Sequence, residues 1–169
     1  LSSSDSVFFM YPECTARKGS DEVCSMLHTF CYEYLDLSVK NLDIFCDGCS
    51  GQNKNYTLIR FLHNLVHTEK RFNYVKVHFP IRGHSYLETD KNLGIINQKS
   101  RAEIPDDWLD IFRHARTKPC PFTVHKANID TFRQWTSHLA PYYKKKCPFP
   151  TRPVRELLIE RAEEFTGIE

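Results

Sequence analysis

Between residues 42 and 79 the apolar pattern changes period twice, and that change constrains the fold more than any other feature of the sequence. Residues 42–46 form a short apolar run that ends on Asp47. Small residues follow at Gly48, Ser50 and Gly51, then the polar stretch Gln52-Asn53-Lys54-Asn55. Leu58, Ile59, Phe61, Leu62, Leu65 and Val66 then recur at helical spacing. Val75, Val77 and Phe79 alternate with Lys76 and His78, the mark of a half-buried strand. A strand, a helix and a second strand in this order predict a parallel pair joined by a helical crossover. An acid at the exit of such a strand sits on a rigid element and faces the cleft where α/β folds bind ligands. A lone Asp there also suits a solvated turn that starts a helix. The density of Gly, Gln, Asn and Lys around Asp47 favours a functional loop.

The flanking sequence extends the alternation. Residues 7–11 predict a short strand. Ser20 reads as an N-cap, with Asp21 and Glu22 in the first helical turn. The stripe Val23, Met26, Leu27, Phe30, Cys31, Tyr34 and Leu35 predicts a helix over about residues 20–38. A second loop, residues 80–85, follows the 75–79 strand. Helices are expected over 86–101, from Pro105 through Phe112, and over 129–143, with a strand at 122–125. Three prolines mark 148–153 as a linker, and residues 154–165 predict a terminal helix with Gly167 beyond it. The expected class is α/β: a layered sheet flanked by helices, with a helical C-terminal extension. Its domains would be a core with extension over 1–147, and a linker with a terminal helix over 148–169. The strands at 7–11, 42–46 and 75–79 are expected in one sheet, the last two parallel.

Composition removes several classes. The chain is 41% hydrophobic and 26% charged, which predicts a globular domain rather than a disordered one. No apolar run approaches the roughly 20 residues of a membrane helix. The first residues lack the basic and apolar regions of a signal peptide. Seven cysteines at irregular spacing predict free thiols in a reducing compartment, nuclear or cytoplasmic, and no secretion. Charge is unevenly spread: residues 1–53 carry three basic and eight acidic side chains, and residues 54–101 nine basic and three acidic. A basic segment directly after the Asp47 loop suits an acidic site flanked by phosphate-attracting surface.

Four groupings carry candidate chemistry. Glu22, Asp47 and Asp90 could gather at one sheet end and hold Mg²⁺ or Mn²⁺, since hard cations prefer carboxylate oxygen. The competing role is a helix-dipole contact for Glu22 and a surface position for Asp90. Gly83-His84-Ser85 offers a tight turn with a histidine suited to acid–base work near neutral pH. Cys46-Asp47-Gly48-Cys49 has the spacing of a thiol-redox motif or half a zinc site, with His63 and His67 the nearest partner pair. Lys144-Lys145-Lys146 beside Tyr142 and Tyr143 could grip a nucleic-acid backbone, or simply end a helix in solvent.

The segments Arg17-Lys18-Gly19-Ser20-Asp21-Glu22-Val23-Cys24-Ser25, Asp47-x-Cys49-x-Gly51-Gln52-Asn53-Lys54-Asn55 and Gly83-His84-Ser85-x-x-x-x-Asp90 together resemble an uncharacterised, transposon-associated animal domain family. The resemblance spans nearly the whole chain. That family in turn looks like the ribonuclease H-like nucleases and transposases, which implies a ribonuclease H-like mixed sheet flanked by helices, N-terminally truncated, with a helical C-terminal extension. The resemblance implies that Asp47 and Asp90 are metal ligands, Glu22 a third ligand or water positioner, and His84 an auxiliary acid–base. Gln52, Asn53, Lys54, Asn55, Arg82 and Lys91 would meet the substrate. The strand at 7–11 would be the third of that fold, with the first two, and their Asp, upstream. The implied function is a fragment of a metal-dependent transposase or nuclease acting on DNA phosphodiesters. The alternative is a transposon-derived, non-catalytic nucleic-acid-binding or protein-interaction domain. The expected partner is DNA, with no membrane, and homo-oligomerisation stays open.

Overall fold

The alternation in residues 74–78 builds the centre of the molecule. A computed structural model of the chain describes residues 4–80, 87–98 and 104–161. Strand β3 (Tyr74–His78) buries Val75 and Val77 completely and turns Tyr74, Lys76 and His78 outward. Strand β2 (Asn41–Phe45) pairs with it in parallel, Asn41 opposite Tyr74 and Phe45 opposite His78. Helix α2 (Tyr56–His63) is the crossover between them and packs Leu58, Phe61 and Leu62 into the core. Helix α1 (Ser20–Thr29) lies beside it, and both helices end in π turns, at Phe30–Tyr34 and Asn64–Thr68. These parts of the sequence expectation hold, though α1 stops well before residue 38: Leu35 is already extended, at φ −100° and ψ 124°. Of its expected core stripe, Leu27 and Phe30 pack on the core, whereas Tyr34 is exposed.

Arg71 fixes the approach to β2. It is buried and donates to the carbonyls of Cys31, Leu35, Asp36, Leu37 and Val39. Its guanidinium also lies 4.5 Å from the Phe72 ring centre. Five carbonyls of this tight connection thereby find one donor. One cation therefore anchors the path from α1 into β2.

Three sequence expectations are corrected. First, strand β1 (Val7–Met10) does not join β2 and β3. It pairs in parallel with β4 (Thr123–Lys126) in a separate two-stranded sheet. Phe8 explains the choice, because its ring meets Phe112 and Phe122 at 5.0 Å in a second apolar cluster. That cluster also holds Ile96 of helix α3 (Glu88–Asn97) and Ile111 of helix α4 (Pro105–His114).

Second, the expected terminal helix contains a strand. Residues 156–160 form β5 (Glu156–Glu160), antiparallel to β3, so the main sheet runs β2-β3-β5. Glu, Leu and Arg are good helix formers, yet Leu157 and Ile159 also fit a period of two. The free edge of β3 decides between the readings. Ile159 is buried there, and Glu156 forms an ion pair with Lys76. The end of that expected helix, with Gly167, lies outside the described residues.

Third, residues 129–143 are not one helix. A 3₁₀ turn at Ile129–Thr131, helix α5 (Trp135–Leu139) and a second 3₁₀ turn at Ala140–Tyr142 replace it. Asn128 caps the first turn through its side chain, Phe132 is extended, and Pro141 lacks the amide that continuation needs. No described helix is long and apolar enough to cross a membrane.

Candidate functional site

Asp47 lies just past the end of β2. The ladder continues one residue further, with the Cys46 amide donating to the His78 carbonyl at 3.1 Å. The chain then turns tightly, and the Cys49 carbonyl accepts from the amides of Gln52, Asn53 and Lys54 at 3.2, 2.8 and 2.9 Å. Asn55 locks the turn. Its Nδ2 donates to the Ser50 and Gln52 carbonyls, and its Oδ1 accepts from the Leu58 amide as the N-cap of α2.

This architecture aims Asp47. Asn53 Nδ2 donates to Asp47 Oδ1 at 2.6 Å, and the Cys49 amide donates to the same oxygen at 3.2 Å. Oδ2 accepts no hydrogen bond among the described residues. The polar stretch thus divides its work: Asn53 holds the carboxylate, Asn55 holds the loop, and Lys54 faces a cavity of about 600 Å³ with Asp47, Phe79, Pro80 and Arg155. Lys54 is only 9% exposed, and its ammonium sits 4.9 Å from the Phe79 ring centre. Burial, then the nearby Arg155, lowers its pKa. Gln52 contributes to the turn through its backbone, its amide donating to Cys49 and its carbonyl accepting from Asn55.

The other expected site residues are dispersed. Both Glu22 oxygens cap their own helix: Oε1 accepts from the Arg17 amide at 3.1 Å and Oε2 from the Gly19 amide at 3.0 Å. A Cβ at Gly19 would stand 2.9 Å from Glu22 Oε2, so the glycine makes room for that return. Glu22 lines a different cavity from Asp47, although Ser20 Oγ donates to the Gly51 carbonyl and ties α1 to the Asp47 loop. Asp90 caps α3, accepting from the Leu87 amide at 2.8 Å. Further along that helix, Asn92 bonds Ser6, and Ile96 joins the cluster beside β1 and β4. Lys91 is exposed on α3. Arg82, Gly83, His84 and Ser85 lie outside the described residues. Among the described residues, no three His, Cys, Asp or Glu side chains gather as a metal site.

Cys46 packs against the core, and burial first, Asp47 second, pushes its thiol up to about 11; Cys49 is exposed in the loop, and both are free. A thiol held so far above neutrality is a poor nucleophile at physiological pH. Cys31, in the π turn that follows α1, is fully buried, as its place on the expected apolar stripe predicts. His63 and His67 stack at 4.1 Å, and His63 Nδ1 meets the Tyr143 hydroxyl at 2.9 Å. The Lys144 and Lys145 carbonyls accept from the buried Arg60, while the three lysine side chains stay exposed.

Sequence reasoning missed Arg155 and Phe79 as cavity residues. The alternation Glu156-Leu157-Leu158-Ile159-Glu160 carried the signal for Arg155, since a strand there brings it beside the end of β3. It also missed a second cavity, of about 460 Å³, between α1 and the loop after β4. There His28 and Tyr32 meet Glu69, His125 meets the Tyr34 hydroxyl, and Ser25 accepts from Trp135. These polar groups are already satisfied by one another, so the Asp47 cavity is the stronger candidate.

Compared with known families, residues 2–149 match the model described as Domain of unknown function (DUF7869). No curated protein and no solved structure matches the chain.

Proposed function

The chain belongs to the family described as Domain of unknown function (DUF7869), and we propose that within it this domain is a ribonuclease H-like, transposase- or nuclease-type module acting at DNA phosphodiesters. One observation carries the reading. Asp47 stands at the carboxyl edge of a parallel strand pair, with one oxygen fixed by Asn53 and the other unbonded among the described residues, in a cavity that also holds Lys54 and Arg155.

Mg²⁺ fits this arrangement in a limited way. It is commonly bound by one or two carboxylates together with substrate phosphates. Asp47 Oδ2 is the available oxygen, whereas Glu22 and Asp90 are engaged as helix caps. Such an ion, when bound, activates water and steadies a leaving oxygen. The chain's own part is to orient Asp47 through Asn53 and to keep Lys54 and Arg155 beside the cavity. Phosphate affinity depends mainly on such charge and falls as salt rises.

The commitment of Glu22 and Asp90 to caps favours a second reading, a transposon-derived domain that binds nucleic acid without cutting it. Mn²⁺ titration, DNA binding across a salt series and a nicking assay separate the two. The first reading expects Mn²⁺ binding that Asp47→Asn removes, and nicking that requires the metal. Salt-sensitive DNA binding with neither metal binding nor nicking establishes the second. DNA binding that is absent or insensitive to salt overturns both.

A further inference from the structure

Two cations share the Asp47 cavity, and neither is paired with its carboxylate. Lys54 comes from the loop after β2, and Arg155 from the residue that precedes β5. Neither has a carboxylate within salt-bridge range among the described residues. Lys54 is nine-tenths buried, and its ammonium lies against the face of Phe79. The Phe79 amide, just past β3, donates to the Arg155 carbonyl at 2.8 Å, so the residue carrying the ring also holds the backbone that carries the guanidinium. Two like charges at one cavity repel each other, and an anion entering it would neutralise both. The site combines a lysine whose side chain is largely covered, an aromatic wall and an arginine whose backbone is bonded to that of Phe79.

We propose that Lys54 and Arg155 jointly bind one phosphodiester oxyanion of a nucleic-acid backbone. The inference deepens the reading above by naming the group received at the same cavity, and rests on that reading only for the source of the phosphate. Arg suits the task because its planar donors match two phosphate oxygens, while Lys adds a point charge. A volume of about 600 Å³ admits a phosphate with its attached sugars.

The test uses the whole chain in EDTA, so that no divalent ion contributes. Binding of a short DNA oligonucleotide is measured by titration calorimetry for the wild type, Lys54→Met, Arg155→Gln and the double variant, with inorganic phosphate as competitor. Arg155 is exposed, so Arg155→Gln keeps the test valid if Lys54→Met disturbs folding. We expect each single change to weaken DNA binding about tenfold, a difference of roughly 1.4 kcal/mol. The double variant should lose little more than either single one, because a shared anion makes the two effects non-additive. Inorganic phosphate should compete at millimolar concentration. Asp47→Asn should tighten phosphate binding in EDTA by removing a negative charge, while it abolishes Mn²⁺ binding if the metal reading holds. Loss of the metal result alone leaves the anion site standing and removes only the metal. Unchanged affinity in Arg155→Gln, fully additive losses, or binding of inorganic phosphate without binding of DNA would each overturn the proposal.

Discussion

The molecule contains two parallel strand pairs, and they differ in support. The β2–β3 pair is extended by β5, backed by α1 and α2, and has its central strand buried at alternate positions. The β1–β4 pair has four residues per strand, no third strand among the described residues, and side chains of β1 that are all half-buried. Both pairs end in loops with polar residues, yet only one offers an oriented carboxylate beside buried positive charge. A side chain can be aimed only as well as the backbone beneath it is held. The platform of β2 and β3 is held by a closed core and by Arg71, that of β1 and β4 by three phenylalanines at its edge.

The largest expected effect follows from that difference in packing. Phe61→Ala should cost about 3–5 kcal/mol of stability, the usual range for a buried aromatic. Phe8→Ala, on the half-buried pair, should cost about 1–2 kcal/mol because less surface returns to water. Urea denaturation of both variants measures this, and equal losses would remove the distinction between the two pairs.

Next in size is the effect on the loop. Asp47→Asn should reduce Mn²⁺ affinity at least tenfold, since it deletes the unbonded carboxylate oxygen that faces the cavity. Asn53→Ala should reduce it by a smaller factor, because the carboxylate remains but loses its 2.6 Å restraint. Isothermal titration of both orders the two effects. A larger loss for Asn53→Ala would make the asparagine, not the carboxylate, the dominant group.

Acid should weaken the main-sheet side selectively. Burial pushes Glu69 upward, but hydrogen bonds from His28 and Tyr32 outweigh it, and its pKa is lowered overall. Its contribution is therefore full above the unfolded carboxyl pKa and disappears as pH falls through the folded one. His63, lowered by burial and then by His67, acts in the same direction: its neutral form suits the fold, and stability is lost as pH falls below the unfolded histidine value. Thermal melts between pH 7 and pH 4 should show a progressive fall that Glu69→Gln and His63→Phe flatten. A melting temperature that rises over this window would refute the assignment.

The smallest effect concerns Lys70, whose φ of 53° places a non-glycine residue in the left-handed region just before Arg71. Lys70→Gly should relieve that conformation and stabilise the fold by about 0.5 kcal/mol, part of the gain being offset by the freer unfolded chain. Chemical denaturation detects it, and a loss of stability would show that the lysine side chain outweighs its backbone.

Much of the main sheet was legible in the sequence because a single segment, residues 42–79, specifies it locally. The two changes of period there gave β2, α2 and β3 with their parallel sense and placed Asp47 at the exit. The partner of β1 was not legible: a four-residue apolar run carries no record of which edge it will find, and the Phe8 contacts come from distant elements. Residues 156–160 fit two periods at once, and only the vacant edge of β3 chose between them. The carboxylates show a similar limit. Glu22 and Asp90 carry the residue type that metal sites use, yet the same type three residues into a helix serves the amides of its first turn. Sequence alone cannot separate these uses when the competing partner is the residue's own backbone. Arg155 went unseen because its role depends on a strand that the local propensity opposes.

The attachment of β5 has a consequence for how the protein comes into being. Lys54 and Arg155 stand about a hundred residues apart in the chain, so the cavity between them closes only once the segment that carries β5 has joined the sheet. Before β5 docks, β3 presents an open edge and Lys54 faces no second cation. An edge of this kind recruits any available strand until its own arrives. A cut in the Pro-rich stretch at residues 148–153 would leave β5 held to β3 only by its ladder and by the burial of Ile159. Sensitivity of that stretch to cleavage, with and without a bound anion, would read out how readily this segment opens.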